Sequence, residues 1–102
     1  MMNPVNSNRL CYDVAMDNVI ILDSARKHGI SDEDILHVLT HSIERIIIEG
    51  EENKYLYLGF NSALNQLELI TVEMVEDKII VIHAMKARKS TIKWIQGLRH
   101  GE

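Results

Sequence analysis

The sequence predicts an α+β fold with two N-terminal helices, a four-stranded antiparallel meander sheet and a short C-terminal helix. Apolar residues recur at helical spacing up to about residue 41, follow strand patterns from residue 43 to 84, and return to helical spacing near the end. The chain has 102 residues, of which 46% are hydrophobic, and this suffices for one core. We therefore expect one domain over residues 1–102, with the polar, Pro4-containing residues 1–10 flexible.

The first helix is expected from Asp17 to His28, because its apolar residues recur at helical spacing and Gly29 follows as a stop. The second helix is expected at Asp32–His41. Ser31 is its predicted N-cap, and three acidic residues in its first turn oppose the positive helix end. Two or three residues separate the helices, which predicts a tight helical corner.

Four segments with strand patterns follow, joined by polar connections short enough for hairpins. The predicted strands are Ile43–Glu49, Tyr55–Phe60, Leu67–Val75 and Ile79–Ala84. The last segment is apolar on both faces, which is typical of a strand inside a sheet. The final helix is predicted over Thr91–Leu98, where Ile92, Ile95 and Leu98 recur at helical spacing.

Positive charge is concentrated at the C-terminal end. The net charge is −4, yet five of the eleven Lys and Arg residues lie after residue 82, whereas fourteen of the fifteen acidic residues lie before it. These five cations are Lys86, Arg88, Lys89, Lys93 and Arg99. Such a patch can attract phosphate while the acidic body repels it, so contact with a polyanion would be confined to this end. The alternative is an ordinary solvated helix face.

Several classes of protein and site are disfavoured. Cys11 is the only cysteine, so no intramolecular disulfide can form, and we expect a cytoplasmic location. The sequence contains no recognisable signal peptide and no apolar run of membrane-spanning length. His37 and His41 share the i, i+4 spacing of zinc ligands, but two ligands do not make a site, so we expect no metal. No phosphate-binding loop or other cofactor motif is present, so we expect no cofactor.

Two segments resemble the BrnT-like toxins. They are Lys27–Ile35, with the sequence KHGISDEDI, and Ile82–Lys89, with the sequence IHAMKARK. In that family a Lys-His-Gly helix end precedes an acidic second helix, a twisted antiparallel sheet, and a last strand ending in a small-residue and basic motif. The same order covers this chain from about Asp17 to Trp94.

The resemblance implies a RelE-like α+β fold and the toxin role in a type II toxin-antitoxin pair. It further implies metal-independent cleavage of RNA, free or on the ribosome, and a DNA-binding protein antitoxin as partner. The family's last strand reads Ser-Ala-Arg, a basic residue, Ala and Thr, with a Glu further on. Here Lys86 matches the basic position, but Met85 replaces the arginine and Thr91 replaces the glutamate.

Metal-independent RNA cleavage needs a base for the 2′-hydroxyl, a cation for the phosphorane and an acid for the leaving oxygen. We therefore assign His83, Lys86 and Arg88 as candidate catalytic residues, since an imidazole transfers protons near neutral pH and the cations stabilise negative charge. Lys89 and Lys93 are candidate RNA contacts through phosphate. The alternative for His83 is a core histidine bonded to a backbone carbonyl.

Tyr55 and Tyr57 lie on one face of their strand and are candidates for stacking on RNA bases, although strand tyrosines ordinarily pack against neighbours. Lys27 and His28 could face a phosphate, but cations in a last helical turn are explained by the helix dipole.

Two other functions compete with a ribonuclease. A non-catalytic interaction module would keep the fold and lack the chemistry, as Met85 and Thr91 indicate. A DNA-binding helix-turn-helix is disfavoured because the second helix opens with acidic residues. Self-association into a homo-oligomer stays open.

Overall fold

A computed structural model describes residues 18–42, 44–74 and 76–99 of the chain. The predicted flexible segment 1–10 and Cys11 lie outside these residues. The elements in chain order are β1 Val19–Ile21, α1 Asp23–Arg26, α2 Asp32–His41, β2 Glu44–Ile47, β3 Lys54–Phe60, β4 Gln66–Glu73, β5 Ile79–Lys86 and α3 Lys89–Arg99. The α+β class is confirmed.

The sheet differs from the predicted four-stranded antiparallel meander. It has five strands in the order β1-β5-β4-β3-β2, and β1 pairs parallel with β5 while the other pairs are antiparallel. The prediction of one helix from Asp17 to His28 is wrong over Val19–Ile21, which forms β1. Three consecutive β-branched residues favour a strand once β5 offers a partner, and this outweighs their helical spacing.

The first helix is therefore only the four residues of α1, whose Ala25 is fully buried. The second helix matches its prediction. Ser31 caps α2, with its hydroxyl accepting a hydrogen bond from the Asp34 backbone N–H at 3.1 Å, and Ile35 and Val38 are completely buried.

The helices cover opposite faces of the sheet. The α2 face carries the larger core, in which α1 and α2 pack on strand residues such as Tyr57, Leu69 and Val81. The α3 face carries a smaller core, where Ile95 of α3 lies with Leu56 and Leu58. The last helix and last two strands match their predicted positions, although β5 and α3 extend further than expected.

The pairing of β4 with β5 contains a bulge next to the candidate site. Ile70 pairs with His83 but the next residue, Thr71, pairs with Val81, so Ile82 is an extra residue in β5. Such a bulge re-aims neighbouring side chains. Because paired residues share a face, His83 lies on the α3 face with Ile70.

Candidate functional site

A fully buried carboxylate organises the C-terminal end of the sheet. Glu68 of β4 has no exposed surface. Its Oε2 accepts hydrogen bonds from His83 Nε2 at 3.0 Å and from Arg88 Nη2 at 2.7 Å. Its Oε1 accepts from the Arg88 backbone N–H at 3.1 Å and from Arg88 Nε at 3.3 Å, and the side chain of Thr91 lies near enough to favour the ionised carboxylate. We call Glu68, His83, Arg88 and Thr91 the Glu68 cluster.

Three elements bring this cluster together. Glu68 comes from the end of β4 that pairs with the end of β5, opposite Met85. The backbone then stays in register for one more residue, since the Ala87 N–H donates to the Gln66 carbonyl at 2.9 Å. Arg88 precedes α3, and its carbonyl accepts from the Ile92 N–H at 3.1 Å. The chain thus turns from strand to helix directly over Glu68.

The hydrogen bonds keep Glu68 ionised although it is buried. Burial by itself would raise its pKa, but the bonds from Arg88, Thr91 and His83 outweigh burial and hold the pKa below the ordinary value of 4.5. Hydrogen bonding to Glu68 also raises the pKa of Arg88. The site therefore combines a fixed buried anion with a cation whose side chain is 54% exposed.

The bond to Glu68 orients the imidazole of His83. An ionised carboxylate can only accept hydrogen bonds, so Nε2 carries a proton, while Nδ1 has no hydrogen bond to a described residue. The side chain of His83 is 23% exposed. His83 is therefore neither sealed in the core nor bonded to a backbone carbonyl, which was the alternative raised by the sequence.

A second histidine lies beside His83. The rings of His28 and His83 meet edge to face, with centroids 5.9 Å apart and an angle of 70°. His28 follows α1, which is fixed to β5 by two bonds: Ser24 Oγ donates to the Ile82 carbonyl at 2.8 Å, and the Leu22 N–H donates to the Val81 carbonyl at 3.1 Å. The helix end that the sequence assigned to dipole effects thus adjoins the cluster.

The three predicted lysines lie outside the Glu68 cluster. Lys86 pairs with Leu67, so the alternation of the strand places it on the α2 face, opposite to His83. Lys89 and Lys93 are exposed on α3, one turn apart. Within the described part of the chain, none of the three forms an ion pair. Of the predicted catalytic residues, the structure joins His83 and Arg88 through Glu68 and leaves Lys86 outside that network.

Tyr55 and Tyr57 belong to a different network on the α2 face. Tyr57 is only 4% exposed. Its hydroxyl donates to Glu73 Oε2 and accepts from Arg45 Nε, the latter at 3.1 Å, while Arg45 Nη2 donates to Glu73 Oε1 at 2.6 Å. The Arg45 guanidinium covers the Tyr55 ring at 4.0 Å. Both rings lie two strands from β5 and on the other face from His83, so this placement disfavours base stacking beside the cluster.

His37 and His41 contact each other on α2. Their rings stack with centroids 4.4 Å apart, and His37 Nδ1 lies 3.1 Å from the Phe60 carbonyl oxygen. Among the described residues there is no group of three His, Cys, Asp or Glu side chains that could hold a metal ion.

Glu68 and His28 were not predicted as site residues. The sequence did contain a signal for Glu68, because strand alternation places this charged residue on the same face as Ile70 and Val72. A charge in that position requires partners, which are supplied by residues 15 to 23 positions later. His28 had no such signal, since its approach to His83 depends on the pairing of β1 with β5.

Comparisons with known proteins give no relative from which to argue. No family model, curated protein or solved structure matches the chain. None of the helices in the described ranges is long and apolar enough to cross a lipid bilayer. A functional conclusion therefore depends on the geometry of the Glu68 cluster.

Proposed function

We propose that the protein is a metal-independent ribonuclease of the BrnT-like toxin type and that the Glu68 cluster is its active site. The observation that supports this most is the pairing of a solvent-accessible imidazole with a half-exposed guanidinium on one buried carboxylate. A base and a cation held together beside solvent are two of the three groups that cleavage of an RNA phosphodiester needs.

His83 is the base in this proposal. Its Nδ1 lone pair takes the proton of the RNA 2′-hydroxyl, and the resulting imidazolium is stabilised by Glu68 at 3.0 Å. Glu68 touches no substrate because it is fully buried, so it is a positioning residue. This division of labour is that of the carboxylate and histidine in hydrolytic triads.

Arg88 supplies the charge that stabilises the phosphorane. Its Nε and Nη2 are bonded to Glu68, whereas Nη1 has no bond to a described residue. The outer edge of the guanidinium is therefore free to donate to phosphate oxygens. Lys89 and Lys93 extend the positive surface along α3 and would bind flanking phosphates.

The two departures from the family pattern are compensated within the cluster. Thr91 stands at the family's glutamate position and lies beside Glu68, which brings a carboxylate to this place from β4. Met85 stands at the arginine position and pairs with Glu68, while Arg88 provides the guanidinium. The resemblance and the geometry thus support the same chemistry through different residues.

A protein antitoxin is part of the proposal, as is a cytoplasmic location. The positive surface around Arg88, Lys89 and Lys93 is complementary to an acidic segment, and a partner bound there would block RNA. The acidic body, which carries the remaining charge, would leave the RNA contact confined to this end.

The test is cleavage of single-stranded RNA by purified protein in the presence of EDTA. We expect wild-type cleavage to fall by about 100-fold or more in His83→Ala and in Arg88→Ala. His41→Ala removes an exposed histidine from α2 and should leave the rate unchanged. Induction of the gene alone should arrest growth, and both active-site variants should relieve the arrest. Absence of cleavage by the wild-type protein would contradict the proposal.

A non-catalytic interaction module is the second candidate. The observation that favours it is an exposed apolar pair on α3, where Trp94 and Leu98 lie one turn apart and are each 46% exposed. This candidate predicts no RNA cleavage and no growth arrest by the wild-type protein. It also predicts binding of a protein encoded by a neighbouring gene, weakened by Trp94→Ala and unaffected by His83→Ala.

A further inference from the structure

We infer that His28 is the general acid of the reaction, so that the site uses two histidines with His83 as the base. This inference depends on the proposed ribonuclease function of the Glu68 cluster. It adds a catalytic residue that comes from the turn after α1, more than fifty positions before His83 in the sequence.

The position of His28 is fixed from both sides of the turn. Before it, α1 is anchored to β5 through Ser24 and Leu22, and Ala25 is fully buried. After it, Gly29 takes a φ of 80°, a conformation that glycine adopts without strain. The ring itself is exposed and makes no hydrogen bond with a described residue. An anchored turn thus presents a histidine whose two ring nitrogens are both available.

The two imidazoles are close enough together to reach the same phosphodiester. Their rings meet edge to face, with centroids 5.9 Å apart and an angle of 70°. One ring can then approach the 2′-hydroxyl while the other approaches the 5′-oxygen, and Arg88 is bonded to the same carboxylate oxygen as His83. Cleavage needs one group to take the proton of the attacking oxygen and another to give a proton to the leaving oxygen.

The proton balance requires such a second group. The RNA 2′-oxygen attacks phosphorus while its proton passes to His83 Nδ1. The P–O5′ bond breaks, and the leaving oxygen takes a proton from protonated His28. The products are a 2′,3′-cyclic phosphate and a 5′-hydroxyl, and proton exchange with water restores the protonation states of both histidines.

No neighbouring group in the described ranges is as well suited as His28 to supply that proton. Glu68 is buried, ionised and saturated by its donors. Arginine does not release its proton in proteins, and Arg88 has a raised pKa. Among the described residues, only Glu68 and His28 contact the His83 ring by hydrogen bond or ring packing. An imidazole both holds and releases a proton near neutral pH.

A substitution in the leaving group tests this role. The substrates are two RNAs that are identical except at the cleavage site mapped with the wild-type protein, where one has a bridging 5′-sulfur in place of the oxygen. A thiolate leaves without protonation, so this RNA does not need a general acid. We expect His28→Ala to slow cleavage of the ordinary RNA by about 100-fold or more and of the sulfur RNA by less than about fivefold. His83→Ala should slow both, and His41→Ala should slow neither.

The outcomes separate this inference from the proposed function. If the wild-type protein cleaves no RNA, both fail together. If it cleaves RNA and His28→Ala cleaves both substrates at the wild-type rate, the role of His28 is overturned and the function stands. An equal loss on both substrates would likewise overturn the acid role, since it would show that His28 acts in binding or positioning alone.

Discussion

The sheet carries two carboxylate networks, one buried and one half-buried, that look alike in composition and differ in the groups that they leave without a bond. The Glu68 cluster lies on the α3 face, and Glu73 with Arg45, Tyr57 and Thr71 forms the Glu73 network on the α2 face. Each joins a carboxylate, an arginine and a hydroxyl. Only the Glu68 cluster contains an imidazole with an unused nitrogen.

The difference lies in how the donors and acceptors are used. In the Glu73 network the Tyr57 hydroxyl both donates to Glu73 and accepts from Arg45, and the arginine lies over the Tyr55 ring. Each arginine has an Nη1 without a bond to a described residue, but only the Glu68 cluster adds an imidazole, whose Nδ1 is also unbonded. The comparison teaches that a carboxylate–arginine pair becomes a candidate active site only where a group that can transfer a proton joins it.

Replacing each carboxylate should have the largest effect on stability and should separate the two networks most clearly. Glu68→Gln and Glu73→Gln each lose a charged acceptor of several hydrogen bonds. We expect each to lower the free energy of unfolding by about 2 to 3 kcal/mol, less than for fully buried pairs because both arginines are about half exposed. Urea denaturation measures this loss.

RNA cleavage should distinguish these two variants. Glu68→Gln no longer fixes the His83 tautomer or stabilises its charged form, so we expect cleavage to fall by about 100-fold or more. Glu73→Gln should retain the wild-type rate at a temperature where it is folded. Equal losses of activity in the two variants would mean that only stability had been measured.

Acid should affect the Glu68 cluster through its carboxylate. The pKa of folded Glu68 lies below the ordinary value of 4.5, so its contribution to stability is present above 4.5 and is lost as the pH falls through the folded value. We expect the free energy of unfolding to fall less steeply with acid in Glu68→Gln than in wild type. Urea denaturation near neutral pH and below about pH 4 provides the comparison.

Alkali should affect the Glu73 network through its tyrosine. Burial, with hydrogen bonding to Glu73, raises the pKa of Tyr57 above 10.0. Its contribution to stability is therefore complete below 10.0 and is lost as the pH rises through the folded value. Tyr57→Phe should lower the free energy of unfolding by about 1 to 2 kcal/mol at neutral pH. Its stability should also fall less in alkali than that of the wild-type protein. If Tyr57→Phe loses stability with rising pH as steeply as the wild-type protein, the hydroxyl does not titrate as described.

Two glycines offer the smallest and most local test. Gly29 follows His28 and Gly50 lies in the β2–β3 turn, with φ values of 80° and 84° and no heavy atom within 4 Å of an added Cβ. Alanine at either position should cost about 1 kcal/mol by backbone strain alone. Gly29→Ala should also reduce RNA cleavage roughly fivefold by displacing His28. Gly50→Ala should not, and a loss of cleavage in that variant would contradict the assignment.

The parts of the fold that depend on local pattern were predictable. Ser31 and the acidic first turn of α2 identify its start, and hydrophobic alternation identifies β3 and β4. The parts that depend on distant pairing were not. Val19–Ile21 has apolar spacing compatible with a helix, and only the parallel partner β5 makes it a strand.

The same distinction applies to the site. His83 and Arg88 lie five positions apart, so their proximity at the end of β5 could be predicted from the sequence. Glu68 reaches them through antiparallel pairing, and His28 through the packing of α1 on β5, so neither approach is visible in local spacing. The bonds of the Tyr57 hydroxyl to Arg45 and Glu73 were not visible either, because alternation shows only the face of the strand on which a side chain lies.

The most direct measurement is an NMR titration of the protein with an RNA oligonucleotide whose 2′-hydroxyls are methylated, so that it binds without being cleaved. We predict shifts of the His28 and His83 ring signals and of the Arg88 guanidinium N–H groups. The Arg45 Nε–H and the Tyr57 ring should be unaffected, because Arg45 Nε already donates to the Tyr57 hydroxyl and this hydroxyl donates to Glu73. Shifts at Arg45 and Tyr57 with none at His83 and Arg88 would contradict the assignment of the Glu68 cluster as the RNA site.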